Sequence, residues 1–368
     1  MTAEQKTQTS LERAAFKKYL NRIFEALLPL LAVPVAFLIG AVMLALLGAD
    51  PLRAYGVLLS GAFGNLSGIT QTLAKATPLL LVGLGVVIAF RGGVINIGGE
   101  GQLIVGALAT TAAALAMPKL PGVILLPVAM LAGALAGAVW GGIPGVLKAR
   151  LGVNEILSTI MMNAIAIQLS LFLLTGPLLD PKQAGSGSFI PQSAILPQSV
   201  WLVRLVPRTL FHAGALLAVV LAILVYIFLW RTTIGYRIRA VGLNPDAARY
   251  AGIRVPIYQA LALILGGAFA GLAGAVEVMG IEHRMMDGLS GGYGFTGIVA
   301  ALFGGLHPLG AIPAAILFGG LLVGADQMQR TIQVPSALIN TILGLIVIFV
   351  VASKIWATRR ARRRETNG

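Results

Sequence analysis

A glycine-rich polar stretch, Phe90-Arg91-Gly92-Gly93-Val94-Ile95-Asn96-Ile97-Gly98-Gly99-Glu100-Gly101-Gln102, is set between two apolar runs, 77–89 and 103–117. A helix needs about 20 apolar residues to cross a bilayer, and neither run alone comfortably does so. Backbone polar groups left unpaired cannot face lipid, so an interruption of this kind lines a cavity or an interface. We read it as part of a transport pathway.

The rest of the chain supports that setting. Only 11% of its 368 residues are charged and 57% are hydrophobic, against about 25% charged in soluble domains. The apolar residues form long continuous blocks, not the short alternating segments of a β-barrel. The fold class expected is therefore an all-α polytopic membrane protein, with some helices short or broken. The formal charge of +14 sits at segment ends and tails, which fits cytoplasmic loops and not a nucleic-acid surface. There is no cysteine, which excludes disulfides, thiol catalysis and cysteine-ligated metals. The first apolar run is too long for a signal-peptide core and is expected to stay in the mature protein.

Residues 1–23 are polar and basic, with Phe16, Leu20, Ile23 and Phe24 at helical spacing. They read as an interfacial helix, with residues 1–10 either part of it or a disordered basic tail. The membrane domain covers 24–353. About ten spans are expected: 24–48, 76–90, 103–117, 122–147, 153–175, 210–230, 257–280, 293–306, 308–325 and 336–353. A looser segment at 50–75 has room for an external amphipathic helix. A proline-containing external loop covers 176–209, a cytoplasmic loop 231–256, and a basic cytoplasmic tail 354–368. With the N-terminus inside and ten crossings, 19 of the 27 Lys and Arg residues fall inside and 8 outside. The positive-inside rule then places both termini in the cytoplasm. Gly133, Gly137, Gly141 and Gly145 fall on one helix face, and the same pattern appears at Gly266-Gly267, Gly271 and Gly274. Small residues at such spacing let helices pack closely.

No catalytic set emerges. A Walker A pattern is absent, so ATP hydrolysis is not expected in this chain. Gly292-Tyr293-Gly294-Phe295-Thr296-Gly297 has a GxGxxG spacing but lacks the βαβ frame of a dinucleotide site. His212, His283 and His307 are isolated in sequence, which argues against a metal site.

Within 231–256, Asn244-Pro245-Asp246 reads as a helix start: Asn caps, Pro suits the first position and Asp complements the positive end. Gly252 suits a helix stop. The product is a short basic helix that either docks a cytoplasmic partner or belongs to an ordinary loop. Asp246-Ala247-Ala248, Arg249 and then Gly252 resemble the Glu-Ala-Ala-x-x-x-Gly coupling motif of bacterial ABC importer permeases. The Ile-x-Leu-Pro continuation of that motif is missing, as in the branch serving branched-chain amino acids, simple sugars and nucleosides. The run Gly93 to Gln102 closely resembles the Phe-Asn-Ile-Gly-x-Glu-Gly-Gln signature of nucleoside and simple-sugar permeases in that branch, with Ile95 in the Phe place. The segments from Arg239 to Ala248 and from Gly291 to Gly310 are similar too.

The resemblance implies an importer of several chains in a bacterial inner membrane. A lipid-anchored binding protein captures the solute outside, two permease subunits form the pathway, and separate cytoplasmic ATPase subunits bind ATP and Mg. This chain would be one permease, holding no cofactor itself, and the coupling residues would be Asn244 to Arg249 with Gly252. Pathway candidates are Asn96, Glu100 and Gln102, which either line the pathway or cap exposed backbone ends. Asn163, Gln168 and Glu277 lie inside spans, where an ionisable group marks a pathway and an amide often glues helices. Phe90, Tyr293 and Phe295 either stack on a nucleoside or pack in the core. Nucleoside import is the leading reading, with a simple sugar such as ribose as the alternative. An ion-driven secondary transporter would carry more acidic residues deep in its spans, and an intramembrane enzyme would need a paired catalytic set.

Overall fold

The computed structural model describes residues 34–46 (apart from 36), 48–183 and 190–333, with five further positions between 341 and 349. The N-terminal segment 1–23, the start of the first span, most of the 336–353 span with Asn340, and the basic tail 354–368 lie outside the described residues.

The described residues form helices α1 (Phe37–Leu46), α2 (Pro51–Phe63), α3 (Leu66–Arg91), α4 (Gly99–Ala116), α5 (Gly122–Leu151), α6 (Glu155–Thr175), α7 (Gly214–Arg231), α8 (Thr233–Leu243), α9 (Pro245–Tyr250), α10 (Val255–Glu277), α11 (Tyr293–Phe303) and α12 (Pro308–Ile332). A π turn, Val278–Glu282, extends α10. Among them, six helices are long and apolar enough to cross a membrane: α3, α5, α6, α7, α10 with its π turn, and α12. α1 and α11 are shorter apolar helices.

The reading of 76–90 as a short span needs correction. α3 starts at Leu66 and runs 26 residues. Its first turns carry Thr70, Thr72 and Lys75, which the sequence places in the looser segment 50–75. The threonine hydroxyls are satisfied inside the protein: Thr70 Oγ1 donates to the Leu66 carbonyl at 2.8 Å and Thr72 Oγ1 to the Ala62 carbonyl at 3.0 Å. Lys75, expected in an external segment, therefore lies within the helix. The loop 231–256 is also more ordered than expected, because α8 precedes the short α9.

The chain forms two compact units, 59–323 and 1–58 with 324–368. In the smaller, the Tyr55 hydroxyl donates to the Phe37 carbonyl and the two rings meet edge to face at 5.0 Å.

In the larger unit, α10 packs against α3, α4 and α5. The glycine stripes make this possible. A Cβ on Gly271 would fall on the Gly133 carbonyl oxygen, one on Gly267 on the Gly137 carbonyl, and one on Gly274 on the Leu103 carbonyl. Backbone approaches backbone at each crossing, which gains van der Waals contact where lipid removes the hydrophobic drive for helix association. α3 is the most enclosed span, whereas α5, α6 and α7 turn broad apolar faces outward.

Candidate functional site

The interruption between α3 and α4 opens on a tight hydrogen-bonded turn. Gly92 N–H donates to the Ile88 and Ala89 carbonyls, and Val94 N–H to Ala89. Gly93 has φ +71°, and a Cβ there would lie 2.9 Å from the Gly242 Cα. Both the left-handed backbone and the close approach require glycine. Asn96 and Gln102 are buried and pair reciprocally: Asn96 Nδ2 donates to Gln102 Oε1 at 3.0 Å, and Gln102 Nε2 donates to Asn96 Oδ1 at 3.2 Å. Asn96 Oδ1 also accepts from Gly98 N–H at 2.9 Å. Asn163, brought in by α6, accepts from Gly101 N–H at 2.8 Å and donates to the Ile97 carbonyl at 2.9 Å. Each unpaired buried group would cost about 1–3 kcal/mol, so the amides hold the broken segment together.

Glu100, in the first turn of α4, reaches a different helix. Its Oε2 accepts from Gly294 N–H at 2.8 Å and its Oε1 from Gly292 N–H at 3.3 Å. The GxGxxG-like run is thus the N-terminus of α11, entered through Gly291 and Gly292 at positive φ. A carboxylate suits that end because it meets free N–H groups and the positive pole of the helix. Gly294 carries no side chain because a Cβ there would fall on the Glu100 backbone.

At the opposite end, α9 has the expected construction. Asn244 Oδ1 accepts from Asp246 N–H and Ala247 N–H, each at 3.0 Å, and Pro245 takes the first helical position. Gly252 follows at φ +77°. Ala248 is buried with Val241 of α8 and Val255 of α10, so the three helices share a small apolar core. α8 in turn touches the broken segment, because a Cβ on Gly242 would fall on the Arg91 carbonyl. Beside that contact, two guanidiniums lie over the Trp230 ring, Arg91 at 5.4 Å and Arg239 at 5.3 Å from its centroid. Arg91 Nε donates to the Leu306 carbonyl and Arg239 Nε to the Leu229 carbonyl. His307 and Tyr226 complete the aromatic group, at 5.0 Å and 5.4 Å from Trp230. Cation–π contacts of this kind are worth about 0.5–2 kcal/mol each.

At the far end of α10 the strand-like residues 190–213 lace onto the π turn and its exit. Leu202 N–H donates to Met279, Leu196 N–H to His283 and Ser193 N–H to Met285. Trp201 stacks on His283 at 3.8 Å. Glu277 is buried, and its Oε2 has no hydrogen-bond partner among the described residues; Lys75 and Glu282 are the charged groups that act on it. His212 is fully buried, and its Nδ1 accepts from Gly214 N–H at 3.2 Å while Nε2 has no hydrogen-bond partner among the described residues. Burial, and next the nearby His283 and Arg204, hold the His212 imidazole down to about 4 from its ordinary 6.5. The folded state therefore keeps His212 neutral while the unfolded state takes up a proton below pH 6.5. Stability is full above that pH and is lost as pH falls through about 4, by roughly 3 kcal/mol. Hydrogen-exchange protection of the 200–213 amides, taken relative to their intrinsic rates, should fall as pH is lowered across this window, and His212→Asn should flatten the dependence. Equal slopes in both proteins would remove His212 as the cause.

The structure thus brings Asn96, Glu100, Gln102 and Asn163 together with the N-terminus of α11. Tyr293 is buried there, Phe295 is 49% exposed, and Phe90 is half-buried at the end of α3. Gln168 is exposed on the outward face of α6, and Glu277 lies at the other end of α10, apart from this group. The Trp230 group was not anticipated from sequence. Its members are 216 positions apart at the extremes, Arg91 and His307, and only the basic residues flanking α7 and α3 hinted at it. Among the described residues no cluster suited to a metal ion is present.

The family model described as branched-chain amino acid transport system / permease component matches residues 68–351. The chain is 38% identical over 334 residues to the guanosine ABC transporter permease protein NupP of Bacillus subtilis, covering 90% of this chain and 95% of that protein. It is 38% identical over 342 residues to the glucose ABC transporter permease protein TsgB13 of Haloferax volcanii, covering 90% and 88%. The nucleoside ABC transporter permease protein NupB of Lactococcus lactis is 32% identical over 340 residues, covering 91% and 93%.

Proposed function

The chain belongs to the family of branched-chain amino acid transport system permease components, and from that premise we propose that it is one of two permease subunits of an ATP-driven nucleoside importer. The observation that carries the substrate class is the likeness, along nine-tenths of the chain, to guanosine and nucleoside permeases. The equal identity to a glucose permease supports simple-sugar import as the second reading. The proposed setting is a bacterial inner membrane with both termini cytoplasmic, ten crossings and a basic tail. The partners are a homologous second permease, a cytoplasmic ATPase that binds ATP and Mg, and an external lipid-anchored binding protein.

In this reading α9 docks the ATPase. Its movement passes through the Val241–Ala248–Val255 core to α8, and from Gly242 to the Arg91–Gly93 turn. The Trp230 group holds that junction in register. The buried amides and Glu100 carry the movement to α11, while Gln168 and Phe295 are the candidates whose exposed side chains meet solute.

The test is ATP-dependent uptake of labelled uridine, adenosine and ribose by the importer reconstituted with its ATPase, second permease and binding protein. Nucleoside uptake that other nucleosides compete and ribose does not is the expected result. Ribose uptake alone would move the chain to the sugar reading, and uptake driven by an ion gradient without ATP would overturn both. In the same assay Ala248→Pro removes the Ala248 N–H bond to the Asn244 carbonyl, at a cost of about 3 kcal/mol. ATP hydrolysis should continue while uptake is lost. Undisturbed coupling would place the docking helix elsewhere.

A further inference from the structure

A second feature lies beside α9 and borders the turn that closes it, Ala251 to Ile253. Between α8 and the start of α10 is a cavity of about 590 Å³, lined in part by Tyr236, Arg237, Arg254, Ile257 and Tyr258. No acidic side chain lines it. Among the described residues neither guanidinium meets a carboxylate. Arg237 is braced instead by the Tyr258 ring, 5.9 Å away, and by a 2.8 Å bond from its Nη1 to the Tyr258 hydroxyl. That brace fixes one face of the guanidinium and leaves the rest of its donors open. Arg254 stands directly before Val255, the first residue of the span that continues to Glu282. It caps α10 without any side-chain bond to the first-turn N–H groups.

The depth of the groove is set by that span. A 28-residue helix is longer than the hydrocarbon core is thick, so its first turn reaches headgroup level when the span is centred in the bilayer, and Ile257, 52% exposed, faces outward from it. Tyr236, 61% exposed, has the amphipathic ring favoured at this level. Two open guanidiniums, tyrosine hydroxyls and an adjoining apolar wall make a site for a phosphate carrying an acyl tail. Guanidinium recognises phosphate through paired N–H donors. The charge rule puts this end of the span in the cytoplasm, where the leaflet is anionic. We propose that the groove binds the headgroup phosphate of an anionic phospholipid, with Arg237 and Arg254 as its ligands.

The experiment uses the full-length chain with whatever subunits co-purify, held in nanodiscs, and native mass spectrometry to count retained phosphatidylglycerol. The wild-type protein should keep a lipid that Arg237→Gln with Arg254→Gln loses, with affinity lowered roughly 25-fold, about 5-fold per charge. Arg237→Lys with Arg254→Lys should restore at least part of the binding, and Arg231→Gln, outside the groove, should leave it intact. Retention of the same lipid by the glutamine variant would overturn the proposal. So would displacement by millimolar inorganic phosphate, which marks a free-anion site, or loss of the ATPase from the glutamine variant with lipid retained, which marks a protein interface.

Discussion

Gly271→Val is expected to abolish accumulation of the folded permease. Gly271 sits where α10 crosses α4 and α5 together. A Cβ there would fall on the Gly133 carbonyl and lie 2.9 Å from the Gly137 Cα, while Gly106 approaches the Gly271 backbone from α4. No flexible side chain is available to yield; the atoms in the way are backbone. Overpacking costs about 1–3 kcal/mol when side chains can shift, and parting two helix crossings costs more because every contact along them is lost together. Gly142→Ala is the control, since its Cβ would meet only the Ile264 side chain, at 3.3 Å. The yield of monodisperse protein in size-exclusion chromatography distinguishes them: near zero for Gly271→Val and close to wild type for Gly142→Ala. Normal yield for both would mean that α10 and α5 do not cross as described.

The glycine pattern shows how far the sequence could be read. A four-residue step of glycines states that two backbones meet, and Gly133, Gly137 and Gly141 do face α10. The start of α9 was equally legible, because Asn244, Pro245 and Asp246 act within one turn and need no distant partner. The start of α3 was not legible. Thr70 and Thr72 fall in the looser segment 50–75 because their hydroxyls need acceptors, and one of those acceptors, the Ala62 carbonyl, lies in another helix. α8 went unread for a similar reason. Its cap, Thr232 accepting from Gly235 N–H at 3.1 Å, is local, but the basic residues Arg237 and Arg239 masked the helix as a charged loop. The Trp230 group and the His212 site depend on residues far apart in the chain, and no spacing rule reaches them. For Asn96, Glu100 and Gln102 the residue types marked polar groups in need of partners, while the partners themselves came only from the fold.

Those partners decide what Glu100→Gln should do. The wild-type carboxylate presents two acceptor oxygens to two N–H groups, Gly292 and Gly294, at the start of α11. Glutamine keeps one oxygen and turns an NH₂ group toward the other N–H, so donor faces donor in a buried site. Hydrogen bonds to charged groups are worth about 1.5–3 kcal/mol, and the group left unpaired adds to the loss. A loss of that size at a helix end loosens α11 without unfolding the bundle, which the glycine crossings hold. Assembly should therefore be normal while ATP-dependent uptake falls by roughly tenfold or more, the rate equivalent of about 1.4 kcal/mol. The concentration dependence separates two origins. If Glu100 acts by holding α11, maximal uptake falls and the half-saturating solute concentration stays the same. If its carboxylate touches solute directly, half-saturation rises as well. Glu100→Asp, which keeps the charge on a shorter arm, should recover part of the uptake in the first case. Wild-type uptake by a normally assembled Glu100→Gln importer would remove this carboxylate from the transport machinery.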